Sequence, residues 1–88
     1  MRIIRKEKFT KQYAKLNSKI KDRVIDILIL FWINPFDIKL NNHSLSWKYL
    51  WLRSINVTWD FRIVFKELSK WKYEIIELVQ VWTHSELY

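Results

Sequence analysis

Three β-rich segments separated by very short connections constrain the fold of this chain most strongly. Residues 49–57, 61–68 and 73–81 are rich in β-branched and aromatic side chains, which favour strands. Only residues 58–60 and 69–72 lie between them. Connections this short can join only antiparallel neighbours, because a parallel crossover needs about a dozen residues or more. The sequence therefore predicts an antiparallel meander in its second half.

The first half of the chain shows helical periodicity instead. Residues 2–5 are short and apolar at their centre, and we expect an edge strand there. From Glu7 onward, apolar residues recur at the spacing of one helix face. Those residues are Phe9, Tyr13 and Leu16. Asn17 and Ser18 then offer an N-cap for a second helix, which ends near Trp32 because Pro35 disfavours helical geometry just before it. Its inward residues are predicted to be Ile20, Val24, Ile27, Leu28 and Phe31.

The predicted order is β-α-α-β-β-β, an α+β domain in which a helical hairpin covers one face of an antiparallel sheet. Its 88 residues form a single domain, 1–88, because a chain of this length builds one core. The longest apolar run, residues 24–33, is interrupted by Asp26 and is too short to span a bilayer. The N-terminus lacks the apolar segment of a signal peptide. We expect a cytoplasmic protein that does not attach to membranes.

The charge balance favours an anionic partner. Sixteen Lys and Arg residues against nine Asp and Glu residues give a net charge of +7, which suits nucleic acid, an acidic protein or an anionic membrane. Charge alone does not choose among these three. The chain has no cysteine, so a thiolate metal site is excluded, and we expect neither a metal nor a cofactor.

The composition also contains an anomaly: no glycine and six tryptophans. At ordinary usage, a domain of this length carries about six glycines. Trp47, Trp59 and Trp71 lie in polar, turn-like contexts, where a chain commonly needs the positive φ that glycine supplies. We hypothesise that the six tryptophans stand where the native protein has glycine, through a UGA codon read as glycine in the source. The alternative is a genuinely tryptophan-rich protein without glycine. The hypothesis predicts positive φ at one or more of positions 47, 59 and 71.

Polar groups suited to RNA cleavage gather on the predicted sheet and near the C-terminus. They are His43, Lys48, Arg53, Asp60, Arg62, His84 and Tyr88. Strict alternation places Arg62 with Val64 and Lys66, and His84 with Gln80 and Trp82. Cleavage without a metal needs a base for the 2′-OH, an acid for the leaving 5′-oxygen and cations for the phosphorane. This set of side chains contains all three kinds of group.

Several motifs, taken together in their order, carry a resemblance to a known family. They are Asn34-Pro35, His43-Ser44-Leu45, Arg53-Ser54, Asp60-Phe61-Arg62-Ile63-Val64-Phe65 and Thr83-His84-Ser85-Glu86-Leu87-Tyr88. The chain resembles RelE/ParE-superfamily toxins of bacterial type II toxin–antitoxin systems, above all the YafQ-like mRNA interferases. The resemblance covers nearly the whole chain and implies a RelE-like fold. It also implies a metal-independent endoribonuclease that cuts mRNA in the ribosomal A site and is neutralised by a cognate antitoxin.

The resemblance also implies roles for individual residues. His43, Asp60 and His84 match positions implicated in catalysis, and Tyr88 matches an aromatic residue of the site. Arg62 is expected to bind phosphate. Arg53, Lys48 and Asn56 are the remaining RNA-binding candidates. We take His84 as the first choice for the general acid and Asp60 or His43 as the base.

One departure from the family pattern keeps two other interpretations open. Asn56 stands where the YafQ-like branch has a second histidine, and an amide cannot replace an acid–base group. A catalytically inactive RNA-binding module is therefore one alternative, and a non-enzymatic, ParE-like inhibitor of DNA gyrase is another. Single residues also have structural interpretations: His43 as an exposed loop histidine, Asp60 as a turn residue.

Overall fold

Two helices form the layer that the periodicity predicted for the first half of the chain. The computed structural model describes residues 1–45 and 51–83. Helix α1 spans Glu7–Ala14 and helix α2 spans Ser18–Ile33. The Asn17 side chain caps α2 by accepting a hydrogen bond from the Ile20 N–H at 3.0 Å, as predicted. The helix ends before Asn34, whose extended φ of −149° suits the residue that precedes Pro35.

Within residues 1–45 and 51–83, five strands form one sheet behind these helices. They are β1 (Arg2–Arg5), β2 (His43–Ser44), β3 (Arg53–Asn56), β4 (Phe61–Glu67) and β5 (Ile75–Thr83). Their spatial order is β1-β5-β4-β3-β2, and the pairs β2–β3, β3–β4 and β4–β5 are antiparallel. The α+β class, the element order and the meander are therefore confirmed.

The sheet departs from the prediction in two respects. First, β1 pairs with β5 in parallel, so the sheet is mixed rather than wholly antiparallel. Nearly the whole chain lies between these two strands, so no short connection forces them to run in opposite directions. Second, His43 lies in a two-residue strand paired with β3, in a segment predicted to be only a connection. A pair this short leaves no periodic pattern in the sequence.

The core lies between the helices and one face of the sheet. Its helical residues include Val24, Ile27 and Phe31, three of the five predicted to point inward. Its strand residues are Ile55, Ile63, Phe65, Ile76, Leu78 and Val81. Leu78 and Val81 are three residues apart, yet both face the core. The reason is a shift in the register of the β4–β5 pair between Val64 and Phe65.

The last two turns of α2 expose apolar side chains on the side away from the core. Ile25, Ile29, Trp32 and Ile33 are all exposed there. Charged residues, Asp22 and Asp26 among them, are also exposed on this helix. No helix in the described part of the chain is both long enough and apolar enough to cross a bilayer.

The turn between β4 and β5 has an unusual backbone. Lys70, Trp71 and Tyr73 all have positive φ, at 55°, 72° and 54°. Side chains with a Cβ seldom adopt this left-handed region, whereas glycine enters it readily. The prediction of positive φ at one or more of positions 47, 59 and 71 is confirmed by position 71. Position 59 does not have positive φ, and position 47 lies outside the described residues.

Candidate functional site

The strand register assembles polar side chains on the face of the sheet that points away from the helices. Directly paired residues on neighbouring strands project to the same face, about 4.5–5.5 Å apart at Cα. One row across the sheet consists of His43, Ser54, Val64 and Gln80. The next row consists of Asn56, Arg62 and Trp82. We call these two rows the open face. The sharing of one face by Arg62, Val64, Gln80 and Trp82 agrees with the predicted alternation.

Arg62 holds the turn between β3 and β4 and still has hydrogen-bond donors to offer. Its Nη1 lies 2.9 Å from the carbonyl oxygens of Thr58 and Trp59, and 3.3 Å from that of Phe61. Among the described residues, its Nε and Nη2 have no hydrogen-bond partner. A guanidinium fixed by one nitrogen can present the other two to a phosphate in a defined direction.

The side chain that closes this turn belongs to Thr58 rather than to Asp60. Thr58 Oγ1 accepts hydrogen bonds from the N–H groups of Phe61 at 3.1 Å and Asp60 at 3.4 Å. Within residues 1–45 and 51–83, the Asp60 carboxylate makes no hydrogen bond or ion pair. The interpretation of Asp60 as a turn-forming residue therefore finds no support in the geometry, and its carboxylate remains available two residues from Arg62.

His43 is exposed, and its ring orientation is fixed by the backbone. Its Nδ1 lies 2.8 Å from the carbonyl oxygen of Asn41. A carbonyl oxygen can only accept a hydrogen bond, so Nδ1 carries a hydrogen and, in the neutral ring, Nε2 carries the lone pair. The backbone thus prepares Nε2 of His43 to accept a proton.

Two polar atoms of the open face are buried without a partner in the described structure. They are Asn56 Oδ1 and Ser54 Oγ, and the Ser54 side chain is fully buried. An unpaired buried acceptor costs free energy that a ligand donor can recover. Ser54 is not one of the site residues predicted from the sequence. Its spacing of two from Asn56 along the strand would have placed it on this face.

Arg53 does not join Arg62. It pairs with Phe65 on the core-facing side of the sheet, whereas Arg62 pairs with Asn56 on the open face. The Arg53 Nε donates to Asn42 Oδ1 at 2.8 Å, and the guanidinium lies 5.9 Å from the centre of the Phe36 ring. These contacts tie the segment after α2 to β3, which gives Arg53 a structural role.

Basic residues of α1 reach the edge of the open face. The Val81 N–H donates to Gln12 Oε1 at 2.9 Å and thereby joins α1 to β5. Beside this contact, a surface depression of about 260 Å³ is lined by Lys8, Gln12, Lys15, Gln80 and Trp82. Lys8 and Lys15 of α1 therefore lie next to the polar rows of the sheet. Gln12 is a further residue that the sequence analysis did not identify.

Three candidate residues, Lys48, His84 and Tyr88, lie outside the described residues. The described part of the site consists of His43, Asn56, Asp60 and Arg62, all near one end of β3 and β4. The proximity of His84 to Arg62 therefore stays a prediction.

The chain superimposes on solved toxin structures over its full length. It matches Escherichia coli YafQ with a TM-score of 0.77 and 19% identity, covering 100% of this chain and 99% of YafQ. The chain has a YafQ-like fold. It also matches the toxin–antitoxin complex of E. coli DinJ and YafQ with a TM-score of 0.73 and 16% identity, covering 98% of this chain and 94% of the matched chain.

Two further solved structures place this YafQ-like fold within the predicted RelE-like class. A YoeB/ParE toxin from Agrobacterium tumefaciens matches with a TM-score of 0.77 and 15% identity, covering 96% of this chain and 99% of that one. The RelE–RelB complex of Pyrococcus horikoshii matches with a TM-score of 0.72 and 15% identity, covering 93% and 92%. No family model matches the sequence, and no curated protein is significantly similar to it.

Proposed function

We propose that this chain is the toxin of a type II toxin–antitoxin pair and that it cleaves mRNA without a metal ion, in the ribosomal A site. The observation that carries the proposal is the common placement of Asn56, Arg62 and His43 on the open face, with Asp60 at its end. The YafQ-like fold supports it, because the chain covers nearly all of that toxin.

The reaction needs two proton transfers and one charge-stabilising group. A base removes the proton of the ribose 2′-OH, and the 2′-oxygen forms a bond to phosphorus. The bond from phosphorus to the 5′-oxygen breaks, and an acid protonates that oxygen. The products are a 2′,3′-cyclic phosphate and a 5′-hydroxyl. Cationic donors aimed at the phosphorane lower the barrier because they act where negative charge accumulates.

The described residues suit these roles. His43 Nε2, with its lone pair directed by the Asn41 carbonyl, is the base, and Asp60 is the alternative base. Arg62 uses Nε and Nη2 to bind the phosphate while its Nη1 keeps the turn closed. Asn56 Oδ1 is buried without a partner among the described residues, so it accepts a hydrogen bond from a ribose hydroxyl only after the side chains that cover it move, and this contact favours RNA over DNA. The resemblance assigns the acid to His84, a second phosphate contact to Lys48 and an aromatic contact to Tyr88.

The proposal includes two kinds of macromolecular partner. Lys8 and Lys15 beside the open face suit the phosphates of mRNA and ribosomal RNA. A cognate antitoxin is the second partner, as DinJ is for YafQ in the toxin–antitoxin complex. The exposed apolar side chains Ile25, Ile29 and Ile33 of α2 form the kind of surface that protein partners cover.

Incubation of the purified protein with translating ribosomes tests the proposal. We expect cuts at defined positions of the mRNA, mapped by primer extension, that disappear in Asp60→Asn and in His43→Gln. Asp22→Asn, which changes an exposed carboxylate on α2, is the matched control and should cut normally. The chain should be assayed both as written and with glycine at the six tryptophan positions. Intact mRNA together with inhibition of gyrase supercoiling would replace this proposal with the ParE-like function.

A further inference from the structure

Most tryptophans in the described part of the chain are exposed, whereas most of its other aromatic residues are not. Phe9, Phe31, Phe65 and Tyr73 are buried in the core, Phe36 is 60% exposed, and Trp82 is partly buried against Phe61. Four of the five tryptophans in the described part of the chain are exposed instead: Trp32 at 60%, Trp51 at 72%, Trp59 at 87% and Trp71 at 69%. An indole buries a large apolar area when a fold uses it. This fold makes little use of these four.

The backbone at position 71 favours a residue without a Cβ. Trp71 has a φ of 72°, between Lys70 at 55° and Tyr73 at 54°. Its N–H donates to the Glu67 carboxylate, so the turn depends on the backbone of residue 71, while the indole points into solvent. Such a position suits glycine, which adopts positive φ without steric cost.

We propose that the six tryptophan positions of this sequence are glycine in the natural protein, encoded by UGA codons that the source reads as glycine. One reassigned codon accounts for both the absence of glycine and the number of tryptophans. At position 71 the positive φ supports glycine. Position 59 does not have positive φ and position 32 lies in the last turn of α2, so at these two positions the support comes from the exposure of the side chain.

This assignment changes two surfaces of the molecule. A cavity of about 370 Å³ at the β4–β5 turn has Trp51 and Trp71 among its lining residues. With glycine at both positions it loses these walls, so it is not a ligand site. Position 82 lies in the row of Asn56 and Arg62. In so far as the proposed function holds, glycine at position 82 clears the space beside Arg62 for an RNA phosphate.

The gene and the natural protein provide a test that does not depend on nuclease activity. We expect a UGA codon at all six positions, and glycine at positions 51, 59 and 71 in peptides of the natural protein analysed by mass spectrometry. A UGG codon at any of the six positions, or tryptophan in the peptide that contains position 71, would overturn the assignment. Neither outcome bears on whether the protein cleaves RNA.

A second measurement tests the backbone argument on recombinant protein. Trp71→Gly should raise the thermal midpoint by about 4–8 °C relative to Trp71→Ala, because alanine keeps the Cβ that strains a residue at positive φ. Substitution of Trp32 provides the contrast, since it lies in a helix. There alanine should be more stable than glycine. An alanine variant at position 71 as stable as the glycine variant would contradict the inference.

Discussion

Asn56 and Arg62 face each other as Cα partners across β3 and β4, yet their side chains diverge. The Arg62 guanidinium bonds to the carbonyl oxygens of the turn at residues 58–61. Asn56 Oδ1 is buried without a partner among the described residues. The pair therefore places a cation and an unpaired acceptor on the same face of the sheet, and a ribose phosphate needs both kinds of group once the acceptor is uncovered.

Arg62→Lys should lower the rate of mRNA cleavage by about 10²–10³-fold, because lysine cannot bind both the turn and a phosphate in fixed geometry. Single-turnover cleavage on translating ribosomes measures this effect. Arg5→Lys, at an exposed end of β1, is the matched control and should cut at the normal rate. An unchanged rate in Arg62→Lys would remove Arg62 from the site.

The turn itself should depend on Thr58 and not on Asp60. Thr58→Val removes the acceptor for two backbone N–H groups, and we expect it to lower the free energy of unfolding by about 1 kcal/mol. Asp60→Asn should change that free energy by less than about 0.5 kcal/mol. Urea unfolding of both variants provides the comparison. A larger loss in Asp60→Asn than in Thr58→Val would restore Asp60 as a turn residue.

His43→Gln should reduce cleavage by about 10²–10⁴-fold while leaving stability unchanged, because the ring is exposed and acts as the base. Cleavage rates and thermal unfolding should be measured on the same preparations. Ser44→Ala, the adjacent residue of β2, serves as the control. If His43→Gln cuts normally and Asp60→Asn does not, the base is Asp60.

Glu67 should make the stability of the β4–β5 turn depend on pH. Partial burial acts to raise the pKa of Glu67, but hydrogen bonds from the Ser69 side chain and from the N–H groups of Ser69, Trp71 and Tyr73 outweigh it. The pKa in the folded state therefore lies below its ordinary value of 4.5. The folded protein keeps Glu67 charged at pH values where the unfolded chain already binds a proton. This stabilisation is complete above about pH 5 and is lost as the pH falls through the lowered pKa.

Glu67→Gln tests this dependence. The variant should be less stable than the parent at pH 7, and the difference should shrink as the pH falls below the ordinary pKa of 4.5. Urea unfolding across that range measures both effects. Glu74→Gln, an exposed carboxylate in the same connection, is the control. A difference that stays constant with pH would show that Glu67 acts through packing alone.

Local interactions made much of the fold predictable. The Asn17 cap and the Asn34–Pro35 pair set the ends of α2 through contacts within four residues of each helix end. The short connection at residues 57–60 forced β3 and β4 to be antiparallel. Alternation placed Arg62 with Val64 on one face of β4 and Gln80 with Trp82 on one face of β5, since side chains in a strand have a period of two. The register between the strands then brought the two pairs together.

What the sequence determined by itself was the class, the order of elements and the chemical types available for a site. The tertiary structure decided which of those groups meet. It placed Arg53 on the core-facing side of the sheet and Arg62 on the open face. It also fixed a hydrogen on Nδ1 of His43 through the Asn41 carbonyl. It also paired β1 with β5 in parallel. Each of these outcomes depends on a register or a backbone position fixed by packing between distant segments, which no pattern along the chain contains.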